Sequence, residues 1–255
     1  MQDRTPPLLS VKGVSVSYGG VAAVVDVDFD VAPGSLVGLI GPNGAGKTTL
    51  LDALSGFVGY TGSVTFNGKS LDRLAPHRRN HAGLARTFQT LELYDDLTVL
   101  DNLLISVTPS IAGLLPELFW GRRPKPSPRV EELLDTFNLR PVATEQVTEL
   151  SQGQRKLVAV ARALASEAKM VLLDEPAAGL DSRESLWLGD KLRQVCATGT
   201  TLLLVDHDMD LVLGVCEQVH VLNFGRLIAS GPAATVRADE AVIDAYLGRP
   251  SVVAE

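Results

Sequence analysis

The sequence contains little cysteine and no long apolar run. Its 255 residues include two cysteines, Cys196 and Cys216, whose spacing fits neither a zinc site nor a C-x-x-C redox pair. We expect both to be buried thiols, as free cysteines generally are. The longest apolar stretches, such as Thr201–Val205, fall far short of the ~20 residues of a membrane-spanning helix. The first residues lack the apolar core of a signal peptide, so we expect a chain that stays inside the cell.

Basic residues are in the minority as well. Lysine and arginine number 23 and aspartate and glutamate 30, which gives a formal net charge of -7. A general nucleic-acid binder needs a basic face to displace counterions, so the composition argues against nucleic acid as a partner. A nucleotide site is not excluded, because backbone N–H groups can bind phosphate locally. The sequence shows no internal repeat, low-complexity tract or heptad pattern.

The apolar patterns predict an α/β fold. Leu9–Tyr18 and Val21–Val31 alternate apolar and polar residues around Gly19-Gly20, which is typical of an antiparallel hairpin. Further strands are predicted at residues 35–40, 62–66, 83–89, 170–173, 201–205, 218–223 and 226–230. Helices are predicted at residues 47–54, 182–196, 208–216 and 239–247, and across 97–166 with a proline-rich break at 108–129. We place His77 and His81 in a polar loop and assign them no chemistry.

One glycine-rich segment between a predicted strand and a predicted helix matches the phosphate-loop motif G-x-x-x-x-G-K-[ST]. Its residues are Gly41, Pro42, Asn43, Gly44, Ala45, Gly46, Lys47, Thr48 and Thr49. Glycines let the loop curl so that N–H groups point at the phosphates. Lys47 is predicted to reach the β- and γ-phosphates and the Thr48 hydroxyl to bind Mg²⁺. The motif alone does not choose between kinase, GTPase and ATPase.

Two carboxylates end a later apolar strand, in Val171-Leu172-Leu173-Asp174-Glu175. Asp174 is predicted to lie beside the phosphate loop and to hold Mg²⁺, directly or through water. Glu175, just past the strand, can act as general base on an attacking water. Taken alone, the pair is equally well explained as a polar exit from a strand, and the phosphate loop is what favours the catalytic interpretation.

A third motif opens a helix between these two. Leu150-Ser151-Gln152-Gly153-Gln154 precedes an apolar-rich helical pattern and resembles the signature L-S-G-G-Q of the ABC ATPase family. The resemblance implies that Ser151, Gly153, Gln154 and the helix N-terminus form a second phosphate-binding end. The chain departs from the commonest signature at Gln152, a position that varies within the family. Ser151 is also an ordinary N-cap residue, and the two roles are compatible.

Four further residues resemble elements of the family, each at a suitable boundary. Tyr18 resembles the aromatic residue that stacks on adenine, with a plain surface aromatic as the alternative. Gln89 resembles the glutamine that touches Mg²⁺ and the attacking water. Asp181 ends a segment similar to the loop that crosses the dimer interface. His207 resembles the switch histidine that contacts the γ-phosphate, although Asp206 stands where Glu or Thr is commoner.

The resemblance covers residues 8–248 as a single ABC ATPase domain and leaves 249–255 as a short tail. It implies a P-loop NTPase fold with a mostly parallel core sheet, an N-terminal antiparallel β subdomain and an α-helical subdomain inserted at about residues 95–166. The implied cofactors are ATP and Mg²⁺. The implied assembly is a head-to-tail dimer, homodimer or related heterodimer, in which each ATP lies between the phosphate loop of one subunit and residues 151–153 of the other.

Some segments look like the branched-chain amino-acid importer ATPases, namely residues 86–103, 175–181, 206–212 and 241–248. This resemblance implies integral-membrane permease subunits, an extracytoplasmic solute-binding protein, and a cytoplasmic location on the inner face of the cell membrane. Related members handle urea, amides or other carboxylates, and a lipopolysaccharide-exporter ATPase is a close cousin. The sequence itself cannot name the transported solute.

Three other classes remain as alternatives. A non-transport ABC ATPase would carry two cassettes or a long coiled coil, and this chain has one set of motifs and no heptads. A module that binds ATP without turnover would be expected to have lost Glu175, Gln89 or His207. A P-loop kinase would leave the L-S-Q-G-Q element unexplained. No N-K-x-D guanine motif is present, which counts against a GTPase.

Overall fold

A computed structural model describes residues 6–87, 93–107, 126–166 and 168–247. The strands are β1 Leu9–Tyr18, β2 Val21–Val31, β3 Leu36–Ile40, β4 Thr61–Phe66, β5 Lys69–Ser70, β6 Leu84–Arg86, β7 Met170–Asp174, β8 Thr201–Val205, β9 Gln218–Asn223 and β10 Arg226–Pro232. The α-helices are α1 Lys47–Ser55, α2 Pro76–His81, α3 Val99–Val107, α4 Pro128–Thr136, α5 Gln152–Ala165, α6 Ser182–Ala197, α7 Met209–Val215, α8 Ala233–Arg237 and α9 Glu240–Leu247. Short 3-10 helices occur at Arg140–Val142 and Val147–Glu149.

The N-terminal strands form an antiparallel sheet with the order β2-β1-β4-β5. Alternate residues of β1 and β2 face its buried side, as the alternating sequence predicts, and Tyr18 pairs with Val21 where the hairpin turns. The first residues of β2 stay exposed. This exposed end borders the phosphate loop described below.

The second sheet is the mostly parallel core, with the order β10-β9-β3-β8-β7-β6. Parallel pairing joins β9, β3, β8, β7 and β6, and β10 is the antiparallel edge strand. Helices and the first sheet cover both faces, so every residue of β3, β7 and β8 is buried, and apart from Asp174 and Thr201 at strand ends their sequences are apolar. The carboxyl ends of β3 and β7 carry the phosphate loop and the two carboxylates, which places both motifs at one edge of the sheet.

Helices α3 to α5 form a separate group between β6 and β7, and α3 packs on α5. Their starts are capped by side chains. Ser127 accepts a hydrogen bond from the backbone N–H of Val130 at the start of α4, and Ser151 begins α5 in the same way. Buried Asn102 ties the preceding loop to α3, accepting from Tyr94 N and donating to Tyr94 O.

The predicted fold class is confirmed, with local corrections. The strand predicted at 83–89 is shorter, Leu84–Arg86, and residues 88–92 lie outside the described residues. The prediction of a loop around His77 and His81 is wrong, because both belong to helix α2. Pro76 at the first helical position and buried Arg79, which donates to carbonyls of α1, stabilise this polar helix. Most of the proline-rich break and the tail at 249–255 lie outside the described residues.

Among the helices that the structure describes, none is long and apolar enough to cross a membrane. Cys196 and Cys216 are both buried free thiols, as predicted.

Candidate functional site

The phosphate loop joins β3 to α1 and makes two close backbone approaches. Gly46, the N-cap of α1, has φ 101°, and a Cβ there would lie 2.5 Å from the carbonyl oxygen of Ala23. A Cβ on Gly41 would lie 2.1 Å from the carbonyl oxygen of Leu222. Both positions therefore require glycine. Because Gly46 has no side chain to cap the helix, the first N–H groups of α1 are free to meet an anion.

Lys47 lies inside this loop with its ammonium group buried. Its Nζ donates to the carbonyl oxygens of Gly41 at 2.6 Å and Pro42 at 3.1 Å. Burial lowers the pKa of Lys47, and the carboxylates of Glu175, Asp174 and Asp206 act in the opposite direction. Lys47 thus lies near three carboxylates, and its hydrogen bonds to Gly41 and Pro42 join the end of the loop to its start.

A cavity of about 520 Å³ opens over the loop. It is bounded by the start of β2, the phosphate loop, the first residue after β7 and the tip of the β9–β10 hairpin. The lining residues are Val21, Ala22, Ala23, Asn43, Gly44, Ala45, Gly46, Lys47, Thr48, Thr49, Glu175, Phe224 and Gly225. Thr48 is exposed in this cavity, so its hydroxyl is accessible to a ligand.

Asp174 ends β7 and is held by neighbours that fix its orientation. Its Oδ2 accepts a hydrogen bond from Arg86 Nη2 at 2.9 Å, and its backbone N–H donates to Thr87 Oγ1 at 3.0 Å. Arg86 also binds Asp52 Oδ1 through Nη1 at 2.6 Å. Burial raises the pKa of Asp174, while the Arg86 guanidinium counteracts that rise. The remaining oxygen, Asp174 Oδ1, is buried and has no hydrogen-bond partner within the described parts of the chain.

Glu175 follows in a left-handed backbone conformation, with φ 47°. This conformation is uncommon for residues other than glycine and costs about 1–3 kcal/mol. The backbone N–H of Glu175 donates to Val205 O at 2.7 Å, which fixes the turn against the end of β8. The consequence is that the carboxylate lies in the wall of the cavity.

His207 follows β8 and faces the same carboxylate. Its Nδ1 lies 3.8 Å from Glu175 Oε2 and 3.5 Å from Asp206 Oδ1. Buried Asp206 accepts hydrogen bonds from the backbone N–H groups of His207 at 2.8 Å, Asp208 at 3.1 Å and Ala177 at 3.3 Å. Burial raises the pKa of Asp206, and these hydrogen bonds counteract the rise. Asp206 therefore ties the loops after β7 and β8 together and positions the exposed imidazole.

The residues predicted from the signature segment lie on a different surface. Ser151 and Gln154 form a reciprocal capping box at the start of α5, with distances of 3.2 Å and 3.0 Å. Ser151, Gly153 and Gln154 line a second cavity, of about 320 Å³, together with Leu157, Leu180, Arg183, Glu184 and Trp187. Asp181 caps α6 through the backbone N–H of Glu184 at 2.8 Å. None of these described residues lines the phosphate-loop cavity.

The structure thus divides the predicted site into two groups. The phosphate loop, Asp174, Glu175 and His207 are brought together, whereas Ser151, Gly153, Gln154 and Asp181 are not in contact with them. Tyr18 is half exposed at the end of β1, next to the rim, but it is not in the described lining of the cavity. Gln89 lies outside the described residues.

Sequence reasoning missed three residues of the first group. Arg86 and Asp206 position Asp174 and His207, and Phe224 lines the cavity from the opposite end of the chain. Arg86 begins the segment 86–103 that resembles the importer ATPases, so an arginine at the end of a predicted strand was an available signal. Phe224 gave no signal, because only the fold brings the β9–β10 hairpin to the phosphate loop.

A magnesium ion fits the donors present at this edge of the sheet. No cluster of three His, Cys, Asp or Glu side chains suited to a metal occurs among the described residues. Mg²⁺ typically binds through one or two protein oxygens together with substrate phosphates. The unpartnered Oδ1 of Asp174 and the accessible hydroxyl of Thr48 are such oxygens.

The phosphate loop, the paired carboxylates after β7 and the capped α5 together define an ATP-binding cassette, and the chain belongs to the ABC transporter family of ATPase subunits. The family model described as ABC transporter matches residues 24–178. A second model, described as branched-chain amino acid ATP-binding cassette transporter, matches residues 226–251. The predicted resemblance to that subgroup is confirmed by these matches and by the relatives below.

Curated relatives align over almost the whole chain. The high-affinity branched-chain amino acid transport ATP-binding protein LivG of Escherichia coli K12 is 35% identical, over 95% of this chain and 98% of that protein. BraF of Pseudomonas aeruginosa, described in the same words, is 34% identical with the same coverage. Among solved structures, the ADP conformation of the ATP-binding cassette MJ1267 matches with a TM-score of 0.82 at 32% identity, covering 96% of this chain and 100% of that one.

Proposed function

We propose that this ATPase subunit powers the import of branched-chain amino acids, or of a related small polar solute, through a partner permease. The support is the identity of about one third to LivG and BraF over nearly full length, together with the match to the branched-chain model at the C-terminal end. The ATPase contacts its permease rather than the cargo. The solute is therefore proposed from the relatives and the chemistry from the site.

The phosphate loop, residues 41–49, holds the triphosphate of ATP. The free N–H groups at the start of α1 and the curled loop supply donors, and Lys47 supplies a positive charge. Lys47 Nζ donates to the carbonyl oxygens of Gly41 and Pro42, which places the ammonium group within the loop, where it can also donate to phosphate oxygens. Tyr18, half exposed beside the rim, stacks on the adenine.

Thr48 and Asp174 hold Mg²⁺, with Gln89 as a third ligand or a ligand to its water. When bound, the ion neutralises charge on the phosphates. Arg86 keeps one oxygen of Asp174 occupied and leaves the other, Oδ1, available to a metal ion. The arginine therefore positions the carboxylate without competing for the metal.

Glu175 is the general base. Its carboxylate lies in the cavity wall beside the phosphate loop, where it can accept a proton from a water that attacks the γ-phosphate. A base of this kind contributes about 10²–10⁴-fold in rate. His207, 3.8 Å from that carboxylate, contacts the γ-phosphate and orients the water. Gln89 is proposed to assist at the same water.

The single observation that carries the catalytic proposal is the division of the site into two surfaces. The phosphate-loop cavity lacks donors from Ser151 and Gly153, which lie at the other cavity. A second subunit placed head to tail brings its Ser151, Gly153 and Gln154 to the γ-phosphate, and its Asp181 segment to the interface. Closure adds donors and excludes water, which completes the site. Hydrolysis removes the γ-phosphate that both subunits share and so weakens the interface.

The helical group is proposed to contact the permease. Tyr94 and Ile105 are exposed there and border a cavity of about 410 Å³ with Ser106 and Arg162. We propose that residues 95–166 form the arm that transmits closure, within a single domain spanning 8–248. The subunit then sits on the inner face of the membrane, and a solute-binding protein serves the complex outside.

The experiment is to purify Glu175→Gln and to measure its mass by size-exclusion chromatography with light scattering, with and without ATP and Mg²⁺. We expect a dimer only with ATP and Mg²⁺, together with loss of hydrolysis and retained ATP binding. Glu240→Gln, at an exposed carboxylate on α9, is the matched control and should hydrolyse ATP as the wild type does. Near wild-type hydrolysis by Glu175→Gln would disprove the base assignment.

The cargo proposal needs the complete transporter. Co-purified permease subunits reconstituted in vesicles with this chain should accumulate labelled leucine in an ATP-dependent manner when the solute-binding protein is supplied. Uptake of urea but not leucine would replace the proposed cargo and leave the ATPase mechanism intact.

A further inference from the structure

Phe224 occupies a turn position that its residue type disfavours. The pairing of Asn223 with Arg226 leaves Phe224-Gly225 as a two-residue hairpin loop. Both loop residues have positive φ, 44° and 77°, which is the requirement of a type I′ turn. Asn, Asp or Gly is preferred at the first position, and a bulky residue there is a genuine outlier. Such local strain is found at functional sites.

The side chain of Phe224 is also unusually exposed. Its relative exposure is 85%, the largest among the exposed large hydrophobic residues that the structure describes. The ring borders the phosphate-loop cavity together with Val21 and the loop residues Asn43–Thr49 of the phosphate-binding segment. Phe224 therefore offers apolar surface at the rim of the cavity, which a bound nucleotide can cover.

The hairpin tip is fixed to the phosphate loop and to β2. Gly225 N donates to Ala45 O at 2.9 Å, and Val25 N donates to Gly225 O at 2.8 Å. A Cβ on Gly225 would lie 2.7 Å from Ala23 O, so the tip can approach this closely only with glycine. The position of Phe224 relative to the phosphates is therefore preset by backbone contacts and does not depend on the flexibility of its own side chain.

We propose that Phe224 is a nucleoside-binding residue that packs its ring against the base or ribose of the bound adenine nucleotide. This inference rests on the proposed binding of ATP in the phosphate loop. The triphosphate fills the loop, so the nucleoside extends along the rim, which is bounded by Val21–Ala23 and by Phe224. The nucleotide then has apolar cover from the hairpin tip in addition to Tyr18 at the end of β1.

The test compares a complete nucleotide with its phosphates alone, by calorimetry on the full chain. Phe224→Asn removes the ring and introduces a residue favoured in the turn, so the variant should be at least as stable as the wild type. We expect its affinity for AMP-PNP with Mg²⁺ to fall by about fivefold or more, as for loss of a base–aromatic contact, and its affinity for inorganic tripolyphosphate to stay unchanged. Phe57→Asn, at an exposed phenylalanine away from the cavity lining, is the control.

The affinities of Phe224→Asn for AMP-PNP and for tripolyphosphate test the proposed contact between Phe224 and the nucleoside. Unchanged AMP-PNP affinity in Phe224→Asn would overturn the proposal and would leave the ATPase assignment standing. An equal loss for AMP-PNP and tripolyphosphate would also overturn it, because the hairpin would then act by shaping the phosphate loop. A wild-type chain that binds neither probe would overturn both this inference and the proposed function. Phe224→Ala is a second variant that removes the ring. Its ratio of AMP-PNP affinity to tripolyphosphate affinity should match that of Phe224→Asn.

Discussion

Arg86 Nη2 donates to Asp174 Oδ2 at 2.9 Å, and both side chains are almost completely buried, with 6% and 2% of their surfaces exposed. A buried charge left without its partner is costly, because neither the protein nor water compensates it. The pair therefore fixes the direction of the other oxygen, Oδ1, and removal of one partner leaves a buried charge that destabilises the chain.

Arg86→Gln is expected to lower the free energy of unfolding by about 3–5 kcal/mol, measured by urea denaturation. Arg86→Gln combined with Asp174→Asn removes both charges and should recover a large part of that loss. Lys12→Gln, which breaks an ion pair whose two side chains are about half exposed, is the control and should cost at most about 1 kcal/mol. Equal effects of Arg86→Gln and Lys12→Gln would show that leaving the buried Asp174 carboxylate without its partner is not costly.

Ser151 allows its two proposed roles to be separated. Aspartate is as good an N-cap as serine, so Ser151→Asp should keep the stability of α5 within a few tenths of a kcal/mol. The added negative charge would face the γ-phosphate bound by the other subunit and should abolish ATP-dependent dimerisation in the Glu175→Gln background. Ser127→Asp, at the equivalent cap of α4, is the matched control and should dimerise normally. A Ser151→Asp variant that still dimerises with ATP would rule out the head-to-tail arrangement.

His207 is expected to act on the rate rather than on binding. His207→Gln should lower kcat for ATP by about 10²-fold, the effect of losing one preorganised donor to a developing charge. KM should change far less, because the phosphate loop and Lys47 provide most of the binding. Asp206→Asn should reproduce part of this loss, because the amide nitrogen that replaces one carboxylate oxygen cannot accept the hydrogen bonds made to that oxygen. A rise in KM without a fall in kcat would place His207 in binding instead.

From the buried side chain of His220 we predict that the folded protein loses stability in acid. The ring is buried against Phe29, with centroids 4.8 Å apart, and its Nδ1 lies 2.8 Å from Ser230 Oγ. Burial lowers the pKa of His220 from 6.5 to about 4, against an opposing effect of Asp30. Between these values the unfolded chain binds the proton and the folded chain does not, so stability falls as the pH falls from about 6.5 towards 4.

If the pKa of His220 differs by this whole amount between the unfolded and the folded chain, the free energy of unfolding falls by about 3 kcal/mol. Urea midpoints of the wild type should decline more steeply over this interval than those of His220→Gln, which cannot titrate. His77→Gln, at an exposed residue of α2, should decline as the wild type does. Parallel curves for the wild type and His220→Gln would show that the buried histidine does not control the acid stability.

Local patterns predicted the elements that carry the site. A hairpin around Gly19-Gly20, continuous apolar strands and the motif positions depend on residues close in sequence, so their spacing was informative. Helix α2 was missed because its stability comes from Arg79, which donates to carbonyls of α1 about 25 residues away, although Pro76 at its first position was a usable signal. Phe224 and Arg86 were missed as site residues because their partners lie in distant segments.

The separation of the phosphate-loop cavity from Ser151 and Gly153 has a kinetic consequence. If two copies pair head to tail as proposed, a single copy holds half of each of two catalytic sites, so turnover is second order in the chain when copies are dilute. In that arrangement the rate of ATP hydrolysis per molecule rises with protein concentration until all copies are paired. A permease that binds two copies side by side removes this dependence on concentration. If the second subunit is a different chain, each of the two sites combines residues from two different proteins. One site can then lose activity while the other keeps it.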